Sequence, residues 1–127
     1  MDIAKTIEPR SDQQNYDDVA IAPRTVTVTE VRGGSAEQPV ELHLEEFPGR
    51  PYKPSKSMRR VLVAAWGSDG SKYVGRRLTI YGDPDVKFGG ERVGGIKISH
   101  LSHIEKRMSM PLTVSRCKRV LHTVEPL

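Results

Sequence analysis

Four stretches of the chain alternate apolar and polar residues with the period of a half-buried β-strand. They cover residues 24–31, 40–47, 77–81 and 96–99. The first stretch, RTVTVTEV, is also rich in β-branched residues, which favour strands. A further strand pair is predicted at 112–115 and 120–124, around a basic turn at 116–119.

The pattern changes to a helical one between residues 55 and 66. Five apolar residues recur at the spacing of one helix face: Met58, Val61, Leu62, Ala65 and Trp66. Ser55 or Ser57 can cap the start of this helix, and Gly67 can end it. We expect Trp66 to pack in the core, since it falls on the apolar face.

One helix among antiparallel strands favours a mainly β fold. We predict a small antiparallel β-barrel, OB-like or SH3-like, of five to six strands with one α-helix. The barrel would be a single domain over residues 24–127, in which residues 48–54 form an extended connector. Residues 1–23 are polar and aperiodic, and they are predicted to be a mobile or loosely docked arm.

Composition narrows the cellular setting. The single cysteine, Cys117, cannot form an internal disulfide, which favours a reducing cytoplasm. We find no apolar run near the roughly 20 residues that span a bilayer, so no membrane association is expected. The first residues, MDIAKTIEPR, lack the apolar region of a signal peptide.

Charge is distributed unevenly along the chain. Residues 1–49 hold four Lys/Arg and ten Asp/Glu, a balance of −6. Residues 50–127 hold sixteen Lys/Arg and six Asp/Glu, a balance of +10. The basic part is expected to attract polyanions, and the acidic arm could lie over it in competition with an anionic ligand. A solvated basic surface without a partner is the alternative.

The helix start gathers cations where the helix dipole disfavours them. These residues are Lys53, Lys56, Arg59 and Arg60. Free backbone N–H groups and four cations together form a good anion site, such as a contact to a nucleic-acid phosphate. The alternative is that the long side chains are merely solvated at an exposed end.

Residues 74–100 predict a hairpin with an apolar face, a polar face and a glycine-rich basic loop. We expect its cationic and aromatic residues to line a nucleic-acid groove: Arg77, Tyr81, Lys87, Phe88, Arg92 and Lys97. An aromatic ring beside cations is a stacking platform for unpaired bases. Phe88 could instead fold back and plug one end of the barrel.

Catalytic and cofactor sites are not indicated. The glycines of FGGERVGG are followed by neither Lys-Ser/Thr nor a helix, so they do not form a nucleotide loop. His100 and His103 are spaced HxxH, but the only cysteine lies in a basic turn, which disfavours a zinc site. We therefore predict no catalytic residues, no metal and no cofactor.

The motifs in the middle of the chain resemble those of a family of small proteins encoded by tailed bacteriophages and prophages. The matching residues are Leu44–Phe47, Ser55–Gly67, Tyr73–Tyr81 and Val86–Ser99, roughly the central half of the chain. Tyr73 stands where the family often has Trp. The resemblance implies an early-region protein with an OB-like, single-strand-binding role in phage DNA replication or recombination.

Two functions remain open at this point. The first is a non-enzymatic binder of single-stranded DNA or RNA. The second is a small protein-binding module that docks on a host enzyme or defence protein through exposed strand edges, or that self-assembles. The charge asymmetry also allows head-to-tail homo-oligomers, acidic half against basic half.

Overall fold

The computed structural model describes residue 3 and residues 12–88, 91–92, 94–115 and 118–127. Strands dominate it, and one long helix accompanies them, so the predicted mainly β fold is confirmed. The elements in chain order are α1 Tyr16–Val19, β1 Arg24–Gly33, β2 Val40–Leu44, β3 Phe47–Tyr52, α2 Lys56–Trp66, a 3₁₀ turn Gly70–Tyr73, β4 Arg77–Asp83, β5 Lys87–Phe88, β6 Glu91–Arg92, β7 Gly95–Leu101, β8 Met108–Ser115 and β9 Lys118–Pro126.

Seven strands form one sheet in the order β3-β2-β1-β4-β7-β9-β8, and β5 pairs with β6 as a separate short hairpin. The prediction of five to six strands is too low, partly because β3 was taken for a connector. Two prolines, Pro48 and Pro51, lie in β3 and remove backbone donors. An edge strand tolerates them because one of its sides has no neighbour to receive those hydrogen bonds.

The sheet does not close into the predicted barrel. In the described part of the chain, the end strands β3 and β8 do not pair with each other. The sheet is also mixed rather than wholly antiparallel, since β9 joins β7 in parallel over His100↔Glu125 and Leu101↔Pro126. That short contact adds the β8–β9 hairpin at one end of the sheet.

Helix α2 covers one face of the sheet, and its inward residues are Met58, Val61, Leu62 and Trp66. The Ser55 side chain accepts a hydrogen bond from the Met58 backbone N–H, and Gly67 ends the helix at φ +88°. Trp66 is 6% exposed, and its Nε1 donates to Ser102 O at 2.7 Å. The predicted core position of Trp66 is therefore confirmed.

Side chains bridge the gap between β3 and β7, where strand pairing is missing. The hydroxyl of the buried Tyr52 donates to Ile96 O at 3.0 Å. Burial raises the pKa of Tyr52 far above its usual range, so the phenol keeps this proton. From the start of α2, Met58 Sδ accepts from the Ile98 backbone N–H at 3.3 Å. We call this gap the seam.

Residues 12–20 lie against one end of the sheet. Val19 is buried in the core, and the Gln14 backbone N–H donates to Pro51 O at 2.8 Å. An ion pair of 2.7 Å joins Arg50 Nη2 to Asp18 Oδ2. The rest of the predicted arm before residue 12, apart from Ile3, lies outside the described residues.

Removing the Tyr52 hydroxyl is expected to weaken the seam. Tyr52→Phe should lower the free energy of unfolding by about 1–2 kcal/mol, since it leaves the carbonyl of the half-buried Ile96 without this donor. Urea unfolding followed by Trp66 fluorescence measures this. Tyr81→Phe is the control, because the Tyr81 hydroxyl bonds to none of the described residues, and it should cost less than about 0.5 kcal/mol. Equal losses in the two variants would contradict the bridging role.

Candidate nucleic-acid interface

A groove of about 1000 Å³ opens on the seam. It lies where the docked arm, the β1–β2 loop, the start of α2 and the start of β7 converge. We call it the seam groove, and its lining is Gln13, Gln14, Asn15, Tyr16, Asp17, Glu37, Gln38, Tyr52, Lys53, Pro54, Ser55, Lys56, Arg59, Gly94, Gly95 and Ile96.

Three of the four predicted helix-start cations line this groove. Lys56 is exposed, and no ion pair engages it in the described part of the chain. The Arg59 guanidinium donates from Nη1 to Pro54 O at 2.9 Å, which fixes it beside the first turn of α2. Lys53 Nζ lies 3.7 Å from Glu41 Oε2, so part of its charge is balanced. Cations and a helix N-terminus together favour an anion here.

Tyr16 gives the groove an aromatic wall. Its ring lies so close to two glycines that a Cβ on Gly94 would be 2.6 Å from its Cγ, and a Cβ on Gly82 would be 2.9 Å from its Cε1. The ring is only half-buried, so one part of it remains accessible from the groove. An accessible ring beside cations is the arrangement on which an unpaired base can stack.

Polar side chains of the arm complete the wall. Gln14 is 3% exposed, and its Nε2 donates to Arg50 O at 3.1 Å. Its Oε1 is buried and bonds to none of the described residues, and Arg50 Nε is in the same condition. Burying an acceptor without a partner costs free energy, and this enclosed atom is not accessible to a ligand in the groove.

Two carboxylates, Asp17 and Glu37, stand in the same groove, and both residues are exposed. They oppose an anionic ligand and offset part of the charge of Lys53, Lys56 and Arg59. The electrostatic attraction of the groove is therefore moderate, and contacts with the bases must contribute to any affinity.

The predicted hairpin residues lie elsewhere. Tyr81 stands opposite Lys97 across β4 and β7, and Arg77 stands opposite Thr27 across β4 and β1. Their neighbours Leu78 and Ile80 are fully buried on the α2 side, so strand alternation turns Arg77 and Tyr81 to the other side. The structure therefore does not bring the two predicted groups into one groove.

On this second face the charge of Lys97 is engaged by Asp83. Lys97 Nζ lies 2.6 Å from Asp83 Oδ2, and this hydrogen bond holds the pKa of Asp83 below its usual range. Tyr81 is half-buried, and desolvation raises the pKa of its phenol. A phosphate would have to displace Asp83 from Lys97 to use this cation.

Two of the remaining predicted residues, Lys87 and Arg60, are exposed at separate places. Lys87 is exposed at the start of the short β5–β6 hairpin, where its Cα partner is Arg92. The side chains of Phe88 and Arg92 lie outside the described part of the structure. Arg60 is exposed on the outward side of α2, beyond the seam groove.

Sequence reasoning missed the contribution of the arm, above all Gln14 and Tyr16. A local signal existed in the Asn15-x-x-Asp18 spacing, which is typical of a helix start. In the structure the Asn15 backbone N–H donates to Asp18 Oδ2 at 2.7 Å. The close approach of Tyr16 to Gly82 and Gly94 is a tertiary contact, which no local sequence pattern predicts.

The sequence predicts neither a metal site nor a membrane association. Among the described residues we find no group of three or more His, Cys, Asp or Glu placed to hold a metal ion. The described helices are all too short or too polar to span a bilayer. Of the HxxH pair, His100 Nδ1 lies 2.8 Å from Ser99 Oγ and His103 Nδ1 lies 2.7 Å from Ser102 Oγ.

The contact between Tyr16 and Gly94 can be tested by a double-mutant cycle. Gly94 has φ +78°, so Gly94→Ala should lower the free energy of unfolding by about 1–2 kcal/mol through backbone strain. The clash of the new Cβ with the Tyr16 ring should lower it further. In a Tyr16→Ala background only the strain should remain, as measured by urea unfolding.

Gly49→Ala is the matched control, because Gly49 has φ +80° and nothing within 4 Å of its added Cβ. Its cost should be the same in the wild-type and the Tyr16→Ala backgrounds. If Gly94→Ala also costs the same in both backgrounds, the arm does not dock as described.

Comparison with known proteins identifies no relative from which a function could be inferred. No protein-family model, no curated protein and no solved structure matches the chain. The function is therefore argued from the groove and the residues that line it.

Proposed function

We propose that this chain is a non-enzymatic single-stranded nucleic-acid-binding protein that holds its ligand in the seam groove. The observation that carries the proposal is the meeting of Lys53, Lys56, Arg59 and Tyr16 around one groove at a helix N-terminus. The resemblance to tailed-phage proteins supports a role in phage DNA replication or recombination, in the cytoplasm of a bacterial host.

The strand order supports an OB-like interpretation of the fold. Strand β1 pairs with both β2 and β4, β4 pairs with β7, and α2 lies between β3 and β4 in the chain. In this interpretation the seam is the incompletely closed edge of a five-stranded barrel, and β8–β9 is an added hairpin. The β1–β2 loop and the segment between β4 and β7 would then correspond to the loops that bind oligonucleotides in OB-folds.

An unpaired strand fits the groove better than a duplex. Stacking on Tyr16 requires a free base face, which a duplex keeps within its own stack, and one stacked base contributes about 1–3 kcal/mol. Phosphates would lie at the first turn of α2, where Lys56 and Arg59 add charge to free N–H groups. The carboxylates of Asp17 and Glu37 disfavour a densely charged ligand such as duplex DNA.

The protein-binding alternative depends on free strand edges, and the structure gives these edges protective features. At the seam, Ile96 O and Ile98 N–H are already bonded to Tyr52 and Met58. Edge strand β3 holds two prolines, and edge strand β8 holds Pro111. Prolines on an edge reduce its capacity to add a strand, so we favour nucleic acid.

Fluorescence anisotropy of a labelled 12-nucleotide dT oligomer tests the proposal. We expect micromolar binding at ~50 mM salt and weaker binding at higher salt, because counterions are released. A duplex of the same length should bind less tightly. Absence of binding at ~50 mM salt would refute the proposed function.

Tyr16→Ala should weaken this binding about tenfold, which corresponds to the loss of one stacked base. Tyr81→Ala is the matched control on the other face of the sheet, and it should change the affinity less than about twofold. If Tyr81→Ala weakens the binding and Tyr16→Ala does not, the interface lies on the hairpin face that the sequence predicts.

Asp17→Asn should strengthen the binding about two- to fivefold at ~50 mM salt, because it removes a charge that repels phosphate, and the gain should fade at high salt. Glu105→Gln, which removes an exposed carboxylate that does not line the groove, should leave the affinity unchanged. A uniform gain in both variants would indicate a nonspecific charge effect rather than a ligand in the groove.

A further inference from the structure

A second, shallower depression of about 460 Å³ lies on the outward side of α2. Its residues follow one stripe of the helix, at positions i, i+3, i+4, i+7 and i+8: Lys56, Arg59, Arg60, Val63 and Ala64. Two of them, Lys56 and Arg59, also line the seam groove. The two depressions are therefore neighbours at the first turns of α2, and together they are called the α2 surface.

Cations on this surface are available for a ligand. In the described part of the chain, no ion pair engages Lys56, Arg59 or Arg60, and the first turn of α2 has no acidic residue. Each cation near a helix N-terminus costs a few tenths of a kcal/mol. An anion that runs across this turn would reverse that cost for several side chains at once.

The two ends of the surface differ in chemistry. At the seam end stands the half-buried ring of Tyr16. At the helix end stand Arg60 and the half-exposed Val63, with no aromatic ring among the lining residues. One end can hold a base, and the other can hold a sugar-phosphate backbone.

We propose that a single strand crosses the N-terminal turns of α2, from a base site in the seam groove to a backbone site at Arg60. The ligand class is thus an internal segment of a polynucleotide rather than a mononucleotide or a strand end. This inference rests on the proposed function, and it assigns Arg60 a phosphate contact that the seam groove alone does not require.

An acidic peptide is the competing ligand for the α2 surface. Its apolar part is small, since only Val63 and Ala64 contribute to it, while three cations surround them. Peptide docking usually depends on larger buried apolar anchors. Because Lys56 and Arg59 line both depressions, one strand could contact both of them.

Salt dependence gives a quantitative test. Four phosphate contacts, from Lys53, Lys56, Arg59 and Arg60, would give a slope of log K against log salt of about −2.8 for a single strand, or about −0.7 per contact. Arg60→Ala should reduce this slope by about 0.7 for a 12-nucleotide dT oligomer. For a dT trimer, which would occupy only the seam groove, Arg60→Ala should leave both slope and affinity unchanged.

Lys106→Ala removes an exposed cation that lines neither depression and is the matched control. It should leave the slope for the 12-mer as in the wild type. Arg60→Glu serves as a second variant and should weaken 12-mer binding more than Arg60→Ala. Arg60 is exposed and outside the core, so both variants are expected to fold, which urea unfolding verifies.

The possible results distinguish an error in the path over α2 from an error in the proposed function. If Tyr16→Ala weakens 12-mer binding but both Arg60 variants leave the slope unchanged, the path over α2 is wrong and the proposed function stands. If the wild type binds neither oligomer at ~50 mM salt, the proposed function itself fails. If a labelled acidic peptide with one leucine binds more tightly than the 12-mer and loses binding in Arg60→Glu, the surface binds protein and the path is overturned.

Discussion

The seam groove depends on side chains that bridge β3 and β7, two strands that do not pair with each other. Buried backbone groups must find partners, and paired strands would lie about 4.8 Å apart. Here Tyr52 and Met58 supply those partners from their side chains. The seam stays bridged without a ladder, and the space beside it becomes the seam groove. A hydroxyl and a thioether thus bridge the core beside the seam groove.

The docked arm, residues 12–20, supplies an aromatic ring and polar side chains to the wall of the seam groove. Its helix α1 buries Val19 in the core and fixes its end through the Asp18–Arg50 ion pair. Tyr16 then lies over Gly82 and Gly94, where a larger residue would displace the ring. The ring, the amides of the arm and the start of α2 come from segments far apart in the chain. The same arm also brings Asp17, which moderates the attraction for anions.

The sequence predicted what depends on local periodicity. The stripe Met58, Val61, Leu62 and Trp66 placed α2, and the alternation of Leu78 and Ile80 placed β4 and its polar face. Strand β3 was missed because its prolines are acceptable only at an edge, which is a property of the whole sheet. The sheet also has more strands than predicted and does not close, and β9 joins β7 in parallel at the end of the chain.

The site was less predictable than the fold. Charge clustering identified the cations around the start of α2, since they are neighbours in sequence. It also grouped them with Tyr81 and Lys97, which lie on the other face of the sheet, where Asp83 engages Lys97. Tyr16 lay in a polar segment without periodicity, and only its tertiary contact with two glycines makes it part of the groove. Nearness in sequence was therefore a guide to charge but not to which side chains share a surface.

The most direct test of the central claim is a ¹H–¹⁵N correlation spectrum of the full chain titrated with a dT 12-mer. If the seam groove binds the strand, amide shifts should concentrate at Gln14, Tyr16, Lys53, Lys56 and Gly95, while Thr79, Tyr81 and Lys97 stay in place. Shifts concentrated on Thr79, Tyr81 and Lys97 would contradict the account, and so would a spectrum that the oligomer leaves unchanged at ~50 mM salt, where electrostatic binding is strongest.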